Sequence, residues 1–158
     1  MQTILTLTNL TKKFGSLTAV DNLSLKINKG FVYGILGPNG SGKSTTLGML
    51  LNIVNKTDGN YHWFDGTETT YSALKKVGAI IERPNFYPYM TARQNLDLVC
   101  KIKNVTNYKI NEKLEIVDLL DRCNHKFSTF SLGMKQRLAI ASALINEPEI
   151  LILDEPTN

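Results

Sequence analysis

The chain has 158 residues, a formal charge of +4 and 42% hydrophobic residues, which allows one real core and reads as an ordinary soluble domain. No apolar run approaches the ~20 residues needed to span a bilayer, and nothing at the start resembles a signal peptide. Lys12-Lys13 and Lys75-Lys76 are only pairs, too sparse to argue for a nucleic-acid partner, while Cys100 and Cys123 lack metal-ligand spacing and read as reduced packing residues.

The first thirty residues read as strands. Leu23, Leu25 and Ile27 alternate with Ser24, Lys26 and Asn28, the period of a sheet with one wet face. Phe31-Val32-Tyr33-Gly34-Ile35-Leu36 is an apolar run expected as a buried strand, and Thr46-Leu47-Gly48-Met49-Leu50-Leu51 is expected as a buried helix. Asp58-Gly59-Asn60 signals a turn before a strand at Tyr61-His62-Trp63-Phe64, and Val77-Gly78-Ala79-Ile80-Ile81 reads as a further short buried strand. The character changes after Pro84 and Pro88. Thr91-Ala92-Arg93-Gln94 has the form of a capping box, opening a helix with Leu96, Val99 and Cys100 on one face. A second helix is expected over 111–121, burying Leu114, Val117 and Leu120, and a third from Ser131, packing through Met134, Leu138, Ser142 and Ile145. Pro148 follows its end, and residues 149–154 read as a central parallel strand. A strand-rich half is thus followed by a helical insert, after which the chain returns to the sheet.

Between the first apolar run and its helix lies Gly37-Pro38-Asn39-Gly40-Ser41-Gly42-Lys43-Ser44, the phosphate-cradling pattern G-x-x-x-x-G-K-[ST]. Its three glycines let the loop wrap until backbone N–H groups converge on phosphate oxygens, and the helix start adds the positive end of its dipole. Lys43 is placed for the β- and γ-phosphates and the Ser44 hydroxyl for Mg²⁺. The chain is therefore expected to bind a nucleoside triphosphate.

Asp154 and Glu155 follow the last strand, at the edge of an open α/β sheet where ligands bind. One carboxylate there can hold Mg²⁺ and the next can orient and deprotonate an attacking water. Ser131-Leu132-Gly133-Met134-Lys135-Gln136-Arg137 supplies the third piece. Ser131 is a good N-cap, and a helix start offering a hydroxyl and a glycine N–H also suits a γ-phosphate.

In this order and at these separations, the loop, the Ser131–Arg137 helix start and residues 150–158 resemble the nucleotide-binding domain of an ABC ATPase over the whole chain. The resemblance implies an α/β fold: a P-loop NTPase core with an antiparallel β subdomain (1–83 and 146–158) and a helical subdomain carrying the signature (about 84–145). It implies that ATP is held by Gly37 through Ser44 and Thr45, that Phe14 stacks on adenine beside Val20, and that Ser131 and Gly133 cap the γ-phosphate. It implies Mg²⁺ near Ser44, Asp154 and Glu82, with Glu155 as catalytic base assisted by Lys43 and Glu82. Asp154-Glu155-Pro156-Thr157 matches Walker B. Glu82 stands where the family usually has the Q-loop glutamine, and Phe130-Ser131-Leu132-Gly133-Met134 replaces Leu-Ser-Gly-Gly-Gln. Both departures resemble the subgroup of exporters conferring bacitracin resistance or self-immunity to lantibiotics. The charge of Glu82 either strengthens metal binding or repels phosphate, and both outcomes stand at this point.

The resemblance further implies two ATPase subunits closing head to tail and a membrane-spanning permease contacted around residues 82–98, on the cytoplasmic face of the membrane. A non-transport ABC ATPase of translation or DNA repair would call for tandem cassettes or a coiled coil, and a small P-loop kinase would not need the Ser131–Arg137 element. The family's D-loop and switch histidine lie beyond Walker B. His62 and His125 precede it and read as surface or packing residues. Because the chain stops directly after its last apolar strand, it is expected to be a C-terminally incomplete domain.

Overall fold

Leucines and isoleucine alternating with polar residues need a paired ladder with one buried face, and the first strands supply it. The computed structural model describes residues 2–81, 85–106 and 109–154, and the chain divides into two compact units, Met1–Leu74 and Lys75–Asn158. In the first unit β1 (Thr3–Phe14) and β2 (Leu17–Asn28) form a long antiparallel hairpin. β3 (Asp58–Trp63) pairs antiparallel with the other edge of β1, so the strand order is β2-β1-β3. Ile4, Leu5, Leu7 and Leu10 of β1 are buried. The unit also contains α1 (Lys43–Leu50) and the short α2 (Thr70–Leu74), whose Leu47, Met49, Leu50 and Ala73 are buried too.

Two expectations for this unit need correction. Asp58-Gly59-Asn60 is not a turn but the start of β3, with Asp58 opposite Thr11 and Asn60 opposite Thr8. The register shifts between those pairs, and Gly59 adopts φ 75 where a Cβ would overlap the Asn9 carbonyl. Turn-forming residues serve here to build an irregularity inside a ladder. The second correction concerns residues 31–36, which form no strand and lie on the surface, Val32 and Leu36 almost entirely so. A short apolar run becomes a strand only when a neighbour takes its backbone N–H and C=O groups. Within the first unit, β1 is paired on both sides and neither β2 nor β3 takes a further partner among the described residues.

In the second unit β4 (Val77–Ile80) and β5 (Ile150–Leu153) pair in parallel register, Val77 beside Ile150 through Ile80 beside Leu153. A cluster of helices supplies the core. α3 (Ala92–Lys103) opens on the expected capping box: the Thr91 hydroxyl accepts from Gln94 N, and Gln94 accepts from Thr91 N. Leu96 and Cys100 are fully buried, with Val99 packed against the same core. α4 (Ile110–Ile116) is shorter than expected. Val117 caps it and Asp118 turns left-handed at φ 54, so Leu119 fills the core position expected of Leu120, which is only half-buried. α5 (Leu132–Ala143) starts at Ser131 as expected and buries Leu138, with Ile145 beyond its end. Its C-terminal turn lies so close to β4 that a Cβ on Gly78 would overlap the Ala143 carbonyl. β5 is not buried on both faces as its apolar run suggested, since Leu151 remains 41% exposed. Full burial of a parallel strand needs layers on both sides, and β4 and β5 make only a two-stranded sheet among the described residues. Cys100 and Cys123 are free thiols in the core, as expected.

Leu96 tests this core. Leu96→Ala is expected to lower the unfolding free energy by ~2–5 kcal/mol in urea titrations. A loss below about 0.5 kcal/mol, the size of a surface substitution, would show that the core does not form around α3.

Candidate functional site

The phosphate-type loop leads directly into α1. Gly42 occupies the N-cap position at φ 87, with no side chain to cap the helix and no acidic residue in the first turn. The amides of Lys43, Ser44 and Thr45, the first three of the helix, therefore have no intrahelical acceptor. They form an open, electropositive helix start of the kind that receives anions. Gly40 is also left-handed at φ 81. A Cβ on Gly42 would overlap the Ala19 carbonyl oxygen and stand 3.1 Å from Val20 Cγ2, while one on Gly37 would press on the Ser41 hydroxyl. The loop is thus a cradle with room for backbone alone at Gly42, while at Gly37 a side chain would have to displace the Ser41 hydroxyl.

Lys43 Nζ curls back across this loop, donating to the carbonyls of Gly37 at 2.9 Å and Pro38 at 3.0 Å. Ser41 N also donates to Pro38 O, at 3.2 Å. Pro38, Asn39, Gly40, Ser41 and Ser44 are exposed and Thr45 is half-buried, while Thr46 is buried and anchors the turn by bonding Gly42 O through both N and Oγ1. The second strand of the hairpin lies against the loop at Ala19 and Val20. Val20, buried and paired with Lys12 across the hairpin, is the side chain against Gly42. Phe14 pairs with Leu17 at the tip and stays 50% exposed, with Lys12 Nζ 4.6 Å above its ring. The loop and Val20 thus come together within the first unit, which also carries Phe14.

The remaining candidates belong to the second unit. Ser131 caps α5 through an acceptance from Met134 N at 3.3 Å. Gly133 lies in the exposed first turn, where a Cβ would meet nothing within 4 Å. Asp154 follows β5, its amide held by Ile80 O at 2.9 Å. Glu82 and Glu155, expected as Q-loop residue and base, lie outside the described residues, as does the 156–158 stretch of Walker B. His62 is exposed on β3, and the exposed His125 lies 3.5 Å from an Arg122 nitrogen.

Sequence reasoning missed Asn95. Only 1% exposed, it accepts from Tyr87 N at 2.8 Å and donates to Tyr87 O, Met90 O and Thr91 O. Its signal was legible: an amide on the helix stripe of Ala92, Leu96 and Val99 must find partners when buried. A groove of about 430 Å³ borders it, lined in part by Ile80, Phe86, Tyr87, Leu98 and Ile102. A larger cavity of about 640 Å³ between α3 and α4 is lined by none of the candidate residues.

The family described as ABC transporter matches residues 20–158. The bacitracin transport ATP-binding protein BcrA of Bacillus licheniformis is 45% identical over 161 aligned positions, covering 100% of this chain and 53% of that protein. The lantibiotic transport ATP-binding protein SrtF of Streptococcus pyogenes is 43% identical, covering 98% and 67%. Among solved structures, the dimeric ATP-binding cassette MJ0796 in a post-hydrolysis state bound to ADP and Pi superposes with a TM-score of 0.83 at 31% identity, covering 98% of this chain and 75% of that one. The chain spans about half the length of several curated relatives it matches.

The two left-handed loop glycines separate two physical costs. Gly40→Ala is expected to cost ~1–2 kcal/mol from backbone handedness alone, since a Cβ there meets nothing. Gly42→Ala adds the overlap with Ala19 O and should cost distinctly more in parallel denaturant titrations. Equal costs would show that the Ala19 approach does not constrain the loop.

Proposed function

Since the chain belongs to the ABC transporter family, we propose that it is the ATP-binding and ATP-hydrolysing part of an exporter of peptide antibiotics or other membrane-active compounds. The observation that carries the reading is an open helix start lying behind a loop of left-handed glycines and one lysine, seated against Ala19 and Val20 of the hairpin. The relatives named for bacitracin and lantibiotic transport favour peptide antibiotics as the cargo.

Gly37 through Ser44 and Thr45 would hold ATP, with Phe14 and Val20 at the base. The cradle fits phosphate because Gly42 leaves no room for a side chain and the amides of the first helical turn have no intrahelical acceptor and no side-chain cap. Bound ATP supplies the γ-phosphoryl group, and Mg²⁺ the countercharge. Lys43 exchanges the carbonyls of Gly37 and Pro38 for phosphate oxygens, so its present bonds hold the loop in shape until then. Ser44 and Asp154 serve the metal. Glu155 orients water and takes its proton, which requires that it stay ionised and within hydrogen-bond reach. Glu82 acts beside it at the metal or in coupling.

In this reading 1–83 with 146–158 form the core and about 84–145 the helical subdomain. Ser131 and Gly133 close over ATP held by a second ATPase subunit, head to tail. A membrane-spanning permease docks around residues 82–98. The protein then works at the cytoplasmic face of the membrane through that partner. Among the described residues no helix is long and apolar enough to cross a membrane itself.

Two substitutions in the full-length protein test the assignment. Lys43→Ala is expected to remove most ATP binding in a titration, and unchanged affinity with unchanged phosphate release would sink the loop's role. Glu155→Gln keeps size and hydrogen bonding but not basicity, so it should retain ATP while slowing phosphate release by ~100-fold or more. Wild-type turnover in that variant would move the base elsewhere.

A further inference from the structure

From the way Asn95 gathers the backbone around it, we infer that this residue is a positioning residue joining the loop at 86–91 to the segment that leads into Ser131. The inference rests on the reading above, in which residues 82–98 meet a membrane partner and Ser131 meets nucleotide. Asn95 sits on α3, and its side chain bonds four backbone groups of the loop: Tyr87 N and the carbonyls of Tyr87, Met90 and Thr91, at 2.8–3.4 Å. It thereby holds Tyr87 and Tyr89 at the surface, 47% and 69% exposed, with ring centroids 5.7 Å apart.

The same loop is tied on its other side to residues 123–128. Phe127 N donates to Met90 O at 2.9 Å and Ser128 N to Pro88 O at 3.0 Å. Ala92 N and Arg93 N donate to the carbonyls of His125 and Cys123, and Thr91 bridges Lys126. Aromatic packing runs in parallel: Phe86 meets Phe127 edge-on at 5.2 Å, and Phe127 meets Phe130 at 6.1 Å. Phe130 immediately precedes Ser131, the cap of α5. With four backbone hydrogen bonds crossing from residues 88–93 to residues 123–128, neither stretch can shift without the other while Asn95 holds the loop. A push on the Tyr87–Tyr89 surface therefore reaches the Ser131 hydroxyl and Gly133 amide through backbone bonds and the edge-on and tilted ring contacts of Phe86, Phe127 and Phe130. This is a contiguous packed connection between two places, and it rests on one buried amide.

Asn95→Asp retains the acceptor for Tyr87 N but loses the donors to three carbonyls, and Asn95→Ala loses both. Lys113→Met serves as control. Lys113 is also buried in this unit, 6% exposed, but its bonds go to Glu112 and Glu147. The variants are compared in the full-length protein at a temperature where far-ultraviolet circular dichroism shows each folded. By hydrogen exchange, both Asn95 variants should speed exchange of the Phe127 and Ser128 amides by about tenfold or more, leaving α5 protected, while Lys113→Met does not. In the membrane complex they should lose about tenfold or more of permease-stimulated turnover, with basal turnover and the KM for ATP unchanged. Stimulation retained despite faster exchange, loss of basal turnover in proportion, or an equal loss in Lys113→Met overturns the positioning role. If the wild-type protein shows no stimulation by a permease, the transport reading fails instead. Exchange at Phe127 and Ser128 then decides alone, and unchanged rates overturn the link.

Discussion

The approach of the Ala19 carbonyl to Gly42 is the contact on which the first unit's site depends. It seats the loop against the hairpin, forces a left-handed residue at the head of α1, and forbids any side chain there. With no side-chain cap, the helix presents bare amides, and Lys43 fills the loop's carbonyls from within. A side-chain cap at that position would satisfy one of the same amides and weaken the site. The local cost of an uncapped helix start and the capacity to receive an anion are thus one property.

The second unit handles the same problem differently. Its two twelve-residue helices carry side-chain caps, Thr91 at α3 and Ser131 at α5. The hydroxyl of Ser131 is occupied by Met134 N, yet it remains exposed beside the open Gly133. The unit's stringent demand lies deeper, at Asn95, where an amide buried to 1% exposure must find a partner for each polar atom. It finds them in the loop that the chain must route past α3. Satisfying one side chain thereby orders five residues of irregular backbone, which would otherwise have little reason to hold one conformation.

The departures from the family pattern fall into two kinds. Leu132 replaces the first glycine of the usual signature, and it is exposed in the first turn of α5, where a side chain costs nothing in packing. Gly133 keeps its open surroundings. The altered signature is therefore compatible with an intact helix start. Glu82 is of the other kind, a change of charge, and its consequence depends on neighbours rather than on local conformation.

Local chemistry was readable directly from the residue order. The capping box at Thr91 and Gln94, the cap at Ser131, the glycine-lysine loop and the alternation of Leu23, Leu25 and Ile27 each act within one turn or one strand, so a few residues suffice to specify them. Parallel pairing of residues 150–153 was legible because a continuous apolar strand suits that arrangement. What depends on partners distant in sequence was not. Residues 31–36 have strand composition, yet within the first unit they find no ladder. Gly59 has turn chemistry, yet Asn9, fifty residues earlier, converts it into an irregularity of β3. Helix α4 ends early because Asp118 turns left-handed and hands the core position to Leu119, a choice made by the packing around it. The place of Asn95 on the apolar stripe of α3 marks it as an amide in need of partners, but which partners it finds is decided only when the loop at 87–91 folds over it. Propensity acts between near neighbours, whereas register, burial and hydrogen-bond satisfaction are settled only when remote segments compete for the same partners.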